Sequence, residues 1–107
     1  MQIIYFDFDN SKLSEISKNT LFNFLDKNKK KLNRYIIFGH TDTKGTSQYN
    51  MDLSIKRAES VKNALLNHGI VANDISIVGK GEDQLLIDTP DDTKHPVNRR
   101  AEVKIIN

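Results

Sequence analysis

GHTDTKGTSQYNMDLSIKR, residues Gly39 to Arg57, takes the chain from the end of an apolar run, through a polar turn, into an amphipathic helix. Upstream, Arg34-Tyr-Ile-Ile-Phe-Gly39 has the β-branched and aromatic density of a strand with a glycine at its exit. Thr41, Asp42, Thr43, Gly45, Thr46 and Ser47 are the small and polar residues of a turn that leads into a helix cap. From Tyr49 onward, Tyr49, Leu53, Arg57, Val61 and Leu65 recur every fourth position, so they share one stripe with Ala58 and Ala64 beside it.

Arg57 is the exception in that apolar stripe. Flanked one turn each way by Leu53 and Val61, its guanidinium is partly desolvated and needs anionic partners. Asp42, at the mouth of the loop, and Asp9, after the first strand, are the candidates. An anion and a cation held apart by a turn and a helix suit a small zwitterion. The same residues also fit an arginine that snorkels to the helix edge, or an internal ion pair that ties loop to helix.

Composition narrows the function classes. The chain has 107 residues, 37% of them hydrophobic, enough for one modest core and one domain over residues 1–107. A net charge of +2, with both signs interspersed, does not point to nucleic acid. The basic cluster of Lys27, Lys29, Lys30 and Lys31 reads as a solvated helix end. Cysteine is absent, which removes disulfides, thiolate nucleophiles and cysteine-ligated metals. His40, His68 and His95 lack metal-ligand spacing, and no cofactor motif is found. MQIIYFDFD is neither a signal peptide nor a membrane span, and its strand-like start suggests a domain excised from a longer protein.

In chain order, Gln2 to Phe8 is a strand closed by Asp7, Asp9, Asn10 and Ser11, and Ser14 to Lys31 is a helix striped by Ile16, Leu21, Phe24 and Leu25. The second helix ends at His68-Gly69, a capping pair, and Ile75 to Gly79 is a third strand. Glu82 to Asn98 is a long irregular stretch, functional or mobile in kind. Arg99 to Ile106 alternates as a last strand that closes the sheet. The order βαβαββ gives an α/β sandwich: one mixed sheet with both helices on one face, and the last strand antiparallel to a neighbour. The loops after the first two strands then open at one edge, where Asp9 meets Asp42 and Arg57.

The stretch from Gly39 continues as Ala58-Glu-Ser-Val-Lys-Asn-Ala-Leu65, and the whole resembles the central motif of OmpA-like peptidoglycan-binding domains, approximately G-H-T-D-x-x-G-x-x-x-Y-N-x-x-L-S-x-x-R-A-x-x-V. Tyr5-Phe-Asp-Phe-Asp9 looks like that family's opening strand, Gly69-Ile70 and Gly79-Lys-Gly-Glu82 like its later landmarks, and Asn98-Arg-Arg-Ala-Glu-Val103 like its terminal strand. Lys56 stands where the family often has a second arginine, at a position expected to face solvent, and residues 82–96 match no family pattern closely.

The resemblance implies a ligand, the diaminopimelate residue of the peptidoglycan stem peptide, whose side chain ends in an ammonium and a carboxylate on one carbon. Asp42 would hold the ammonium and Arg57 would grip the carboxylate through its planar fork. Asp9, Thr41 and Asn50 would add hydrogen bonds, Leu53 would line the floor, and Arg100 would reach the rim. The implied function is non-catalytic attachment of an envelope protein to the cell wall, in the periplasm, with any membrane tether on a segment outside this chain. On this view, alanine at position 42 or 57 removes binding and leaves the fold nearly unchanged.

Two other readings remain. Asp9 and Asp42 could be paired carboxylates of a wall hydrolase, although a neighbouring arginine favours ionised carboxylates over an acid catalyst. Alternatively the Asp-Arg pair is structural, and the long loop or an exposed last strand docks a protein partner.

Overall fold

The computed structural model describes residues 1–29 and 33–106, so Lys30 and Lys31, placed above in a helix end, lie outside the described residues. The elements are β1 (Gln2–Tyr5), α1 (Glu15–Lys27), β2 (Arg34–Gly39), α2 (Ser47–Asn67), β3 (Ile75–Gly79) and β4 (Arg100–Ile106). Short 3-10 turns at Ala72–Asp74 and Pro96–Asn98 lead into β3 and β4. Ser14 caps α1 by accepting from the Ser17 N–H, and Thr46 caps α2 by accepting from the Tyr49 N–H.

The strand order is β1-β4-β2-β3. β2 pairs in parallel with β3, while β4 runs antiparallel to both β1 and β2, with Ile37 opposite Val103 and Ile4 opposite Ala101. The mixed sheet with two helices matches the expected α/β class. Two details differ. β1 ends at Tyr5, because Asp7 and Asp9 turn the chain, and Asp9 adopts a left-handed φ of 52°. β4 does not form an exposed margin: it fills the centre, and β1 and β3 are the edges. Alternation in a sequence shows which face a residue takes, not which strands lie on either side.

One face of the sheet carries the core. Ile4, Tyr35, Ile37, Ile75, Ala101 and Val103 pack against Leu21 and Leu25 of α1 and Ala58, Val61 and Leu65 of α2. Lys56 is exposed, as expected. Gly39 lets α2 lie against the sheet, since a Cβ there would sit 1.8 Å from the Ser54 carbonyl oxygen. On the opposite face, Lys80 and Lys104 lie over the Phe38 ring at 5.7 and 5.1 Å.

This topology places the site. β1, β2 and β3 all run one way, so their exits share an edge of the sheet. β4 runs the other way, so its entry, Arg99 and Arg100, lies at that same edge.

Candidate functional site

At that edge a cavity of about 250 Å³ opens between the loop after β1, the loop after β2, the first turns of α2 and the 82–98 stretch. Its lining includes Phe8, Asp9, Asp42, Lys44, Tyr49, Asn50, Leu53, Arg57 and Asp92.

Asp42 is buried, with 3% of its surface exposed. Its Oδ1 accepts the Lys44 N–H at 3.2 Å, and its Oδ2 accepts the His95 N–H at 3.1 Å and Arg99 Nη1 at 3.4 Å. Three donors on two oxygens leave lone pairs for one more cationic donor. Thr43 beside it stitches the loop to the 82–98 stretch: its Oγ1 donates to the Pro90 carbonyl at 2.8 Å and accepts the Thr93 N–H at 2.9 Å.

α2 contributes from its open end. Along the stripe, Tyr49 is exposed and Leu53 half-buried, whereas Arg57, Val61 and Leu65 are buried, so the helix enters the core below the cavity. Tyr49 Oη donates to Asp9 Oδ1 across the mouth, a bond that pushes the tyrosine pKa up. Asn50 Nδ2 donates to the Asp42 carbonyl at 3.3 Å and to Glu82 Oε1 at 3.0 Å.

Arg57 lies at the floor, buried completely. It does not snorkel. Nε donates to the Asn10 carbonyl at 3.0 Å, Nη1 to the His40 carbonyl at 2.9 Å and Nη2 to the Asp7 carbonyl at 3.2 Å, with Phe6 beneath the guanidinium at 5.3 Å. No carboxylate lies within 4 Å of it among the described residues. A guanidinium has five N–H donors, so these bonds leave two, one on each terminal nitrogen. Burial lowers its pKa to about 10, against the pull of Asp42 in the other direction, and the group stays cationic at neutral pH.

Of the residues singled out in the sequence, Asp9, Asp42, Asn50, Leu53 and Arg57 come together around the cavity. Thr41 and Arg100 do not line it. Thr41 is buried behind the loop, where its N–H donates to the Gly81 carbonyl and its hydroxyl to the Asp42 carbonyl. Arg100 turns to the sheet face away from the helices, bonding Glu102 Oε2 through Nε and Nη2, each at 2.9 Å, and the Gln84 carbonyl at 3.1 Å. Arg99 is the arginine that reaches Asp42. Among the described residues no group of three or more His, Cys, Asp or Glu could hold a metal ion.

Residues 5–99 match the OmpA family. This chain belongs to that family. An outer membrane porin F of Pseudomonas aeruginosa is 35% identical over 104 residues, which cover 95% of this chain and 30% of the porin. A peptidoglycan-associated lipoprotein of Pseudomonas putida is 31% identical over 100 residues, 94% of this chain and 60% of the lipoprotein. The chain thus spans less than two thirds of the length of these relatives. Among solved structures, the peptidoglycan-associated lipoprotein of Burkholderia pseudomallei superposes with a TM-score of 0.85 at 29% identity, covering 99% of this chain and 91% of that one. The C-terminal domain of Helicobacter pylori MotB shares the fold, with a TM-score of 0.80 at 18% identity.

Phe8, Lys44, Tyr49 and Asp92 line the cavity and Arg99 bonds Asp42, although none of them is a site candidate from the sequence alone. For Arg99 a signal existed in the Arg99-Arg100 pair, but consecutive strand residues point to opposite faces and the sequence does not say which one meets the loop. For Asp92 there was none, since it arrives from an irregular stretch.

Proposed function

We propose that this chain is a non-catalytic peptidoglycan-binding module that recognises the free amino acid centre of diaminopimelate in the stem peptide and so attaches an envelope protein to the wall. The observation that carries this reading is the buried Arg57 guanidinium, with two N–H groups unspent and no carboxylate partner within 4 Å among the described residues, beside a cavity that also presents Asp42. A ligand carboxylate would supply the missing anion, and Asp42, helped by Asp9, would take the ligand ammonium. Relatives named for the outer membrane and for peptidoglycan association support a place in the cell envelope. The tether, in this reading, belongs to a further segment of a longer protein. None of the described helices is long and apolar enough to cross a membrane.

A hydrolase reading fits less well. Both oxygens of Asp42 already accept N–H donors, the bonding of an acceptor and not of an acid that gives up a proton.

The test is retention on insoluble walls. The parent chain is expected to sediment with diaminopimelate-type peptidoglycan and poorly with walls that carry lysine at that position, which lack the carboxylate. Asp42→Asn keeps the shape and removes the charge, and should weaken binding about 10- to 100-fold, the size of a lost charge-assisted hydrogen bond. Equal retention on both wall types, or release of soluble fragments by the purified chain, would overturn the proposal.

A further inference from the structure

The wall of the cavity beside Asp42 carries a second pair of opposite charges. Lys44 Nζ lies 3.2 Å from Asp92 Oδ2, with both side chains substantially exposed. The two partners are held differently. Asp92 has a left-handed φ of 55°, its Oδ1 accepts the Gly45 N–H at 3.1 Å, and its pKa is lowered, first by that backbone bond and then by Lys44. Lys44 is anchored only at its backbone, whose N–H is bonded to Asp42 Oδ1, and Nζ has no other bond among the described residues. Its base is therefore fixed relative to Asp42, while the ammonium can turn on its flexible stem. An exposed pair of this kind is weak and exchangeable.

We propose that Lys44 makes the site selective for a stem peptide bearing a second free carboxylate, and that Asp92 is an internal competitor occupying Lys44 while the site is empty. This rests on the wall-binding reading above. The head group of diaminopimelate uses Asp42 and Arg57, and Lys44 then offers a cation at the mouth, where the rest of the peptide leaves the cavity. A carboxylate there displaces Asp92, whose charge stays satisfied by the Gly45 amide. A carboxamide at the same place keeps an acceptor but loses the charge. Two stem-peptide groups have this chemistry: the α-carboxylate of the D-glutamyl residue before diaminopimelate, and the C-terminal carboxylate after it.

Titration calorimetry with synthetic stem tetrapeptides separates them, using peptides with both carboxylates free, with the first amidated, with the second amidated, and with both amidated. Lys44→Gln should weaken binding of the free peptide roughly three- to tenfold. That penalty should vanish for the doubly amidated peptide and for one singly amidated peptide, which identifies the group read. Asp92→Asn, which keeps the acceptor for Gly45, should tighten the free peptide about two- to fivefold and leave the doubly amidated one unchanged. A Lys44→Gln penalty equal across all four peptides, or absent from all, would overturn the role of Lys44. Weaker binding by Asp92→Asn would overturn the competitor. A parent chain that binds none of the peptides would sink the wall-binding reading and this inference together, an outcome distinct from a parent that binds all four with Lys44 indifferent.

Discussion

Arg57→Ala is expected to lose about 3–5 kcal/mol of folding stability, along with any binding, the scale for truncating a large, buried, hydrogen-bonded side chain. The expectation from the sequence, that such a variant leaves the fold nearly unchanged, gains a stability cost from the three carbonyl bonds. The guanidinium gathers the Asp7, Asn10 and His40 carbonyls, and so holds the loop after β1 and the exit of β2 against α2. Alanine would leave the buried His40 carbonyl and the partly buried Asn10 carbonyl without this donor, leave the Asp7 carbonyl with only the Asn10 N–H, and open a void over Phe6. Some of that cost is offset because the charge need no longer be desolvated, so a value near the lower end is compatible with the same account. Urea unfolding midpoints measure it. A change under about 0.5 kcal/mol, the range of ordinary surface substitutions, would show that the three carbonyls do not depend on Arg57. Arg57→Lys should recover only part of the loss, because an ammonium cannot present the planar fork to three carbonyls. Asp42→Asn should cost much less stability than Arg57→Ala while still losing affinity, and this contrast separates the ligand-binding role from the architectural one.

That dual role explains what was legible beforehand. The period-four stripe through Leu53, Arg57 and Val61 identified both the helix and its one charged member, because a buried face leaves an apolar pattern in the chain. The strand runs around Ile37 and Val103 were legible for the same reason. The meeting of Asp9 with Asp42 and Arg57 followed from topology, since parallel strands bring their exits to one edge. What Arg57 bonds to was not legible, because its partners are backbone carbonyls and every residue has one. The position of β4 was equally hidden: Ala101, Val103 and Ile105 alternate identically in a central or an edge strand. Residues 82–98 reach the site through particular atoms, the His95 N–H on Asp42 and the Asp92 carboxylate on Gly45, without any periodic pattern to announce them.

His40, the second residue of the motif, predicts a pH dependence that the wall ligand does not enter. Its side chain is buried on the sheet face away from the helices, neither ring nitrogen has a hydrogen-bond partner among the described residues, and Nε2 lies 3.8 Å from Glu102 Oε2. Burial, followed by the Arg100 guanidinium, pushes its pKa down from 6.5 to about 4, with Glu102 pulling the other way and Lys80 and Lys104 adding to the fall. The unfolded chain therefore takes up a proton near pH 6.5 that the folded chain refuses until about pH 4. Stability from this group is fully present above pH 6.5 and declines as the pH falls through that window. At about 1.4 kcal/mol per pH unit, the whole decline amounts to roughly 3 kcal/mol. Urea midpoints at pH 7.5 and 4.5 for the parent and for His40→Gln isolate it, since the carboxylates titrate in both proteins and cancel. The parent should lose about 2–3 kcal/mol more than the variant between those pH values. The loss should reach the ligand site as well, because the His40 carbonyl accepts from Arg57 and local opening around a charged His40 releases one of the three bonds that fix the guanidinium. Parallel pH profiles for the two proteins would mean that His40 finds a solvated position once protonated, and that the link between this face of the sheet and Arg57 is not under strain.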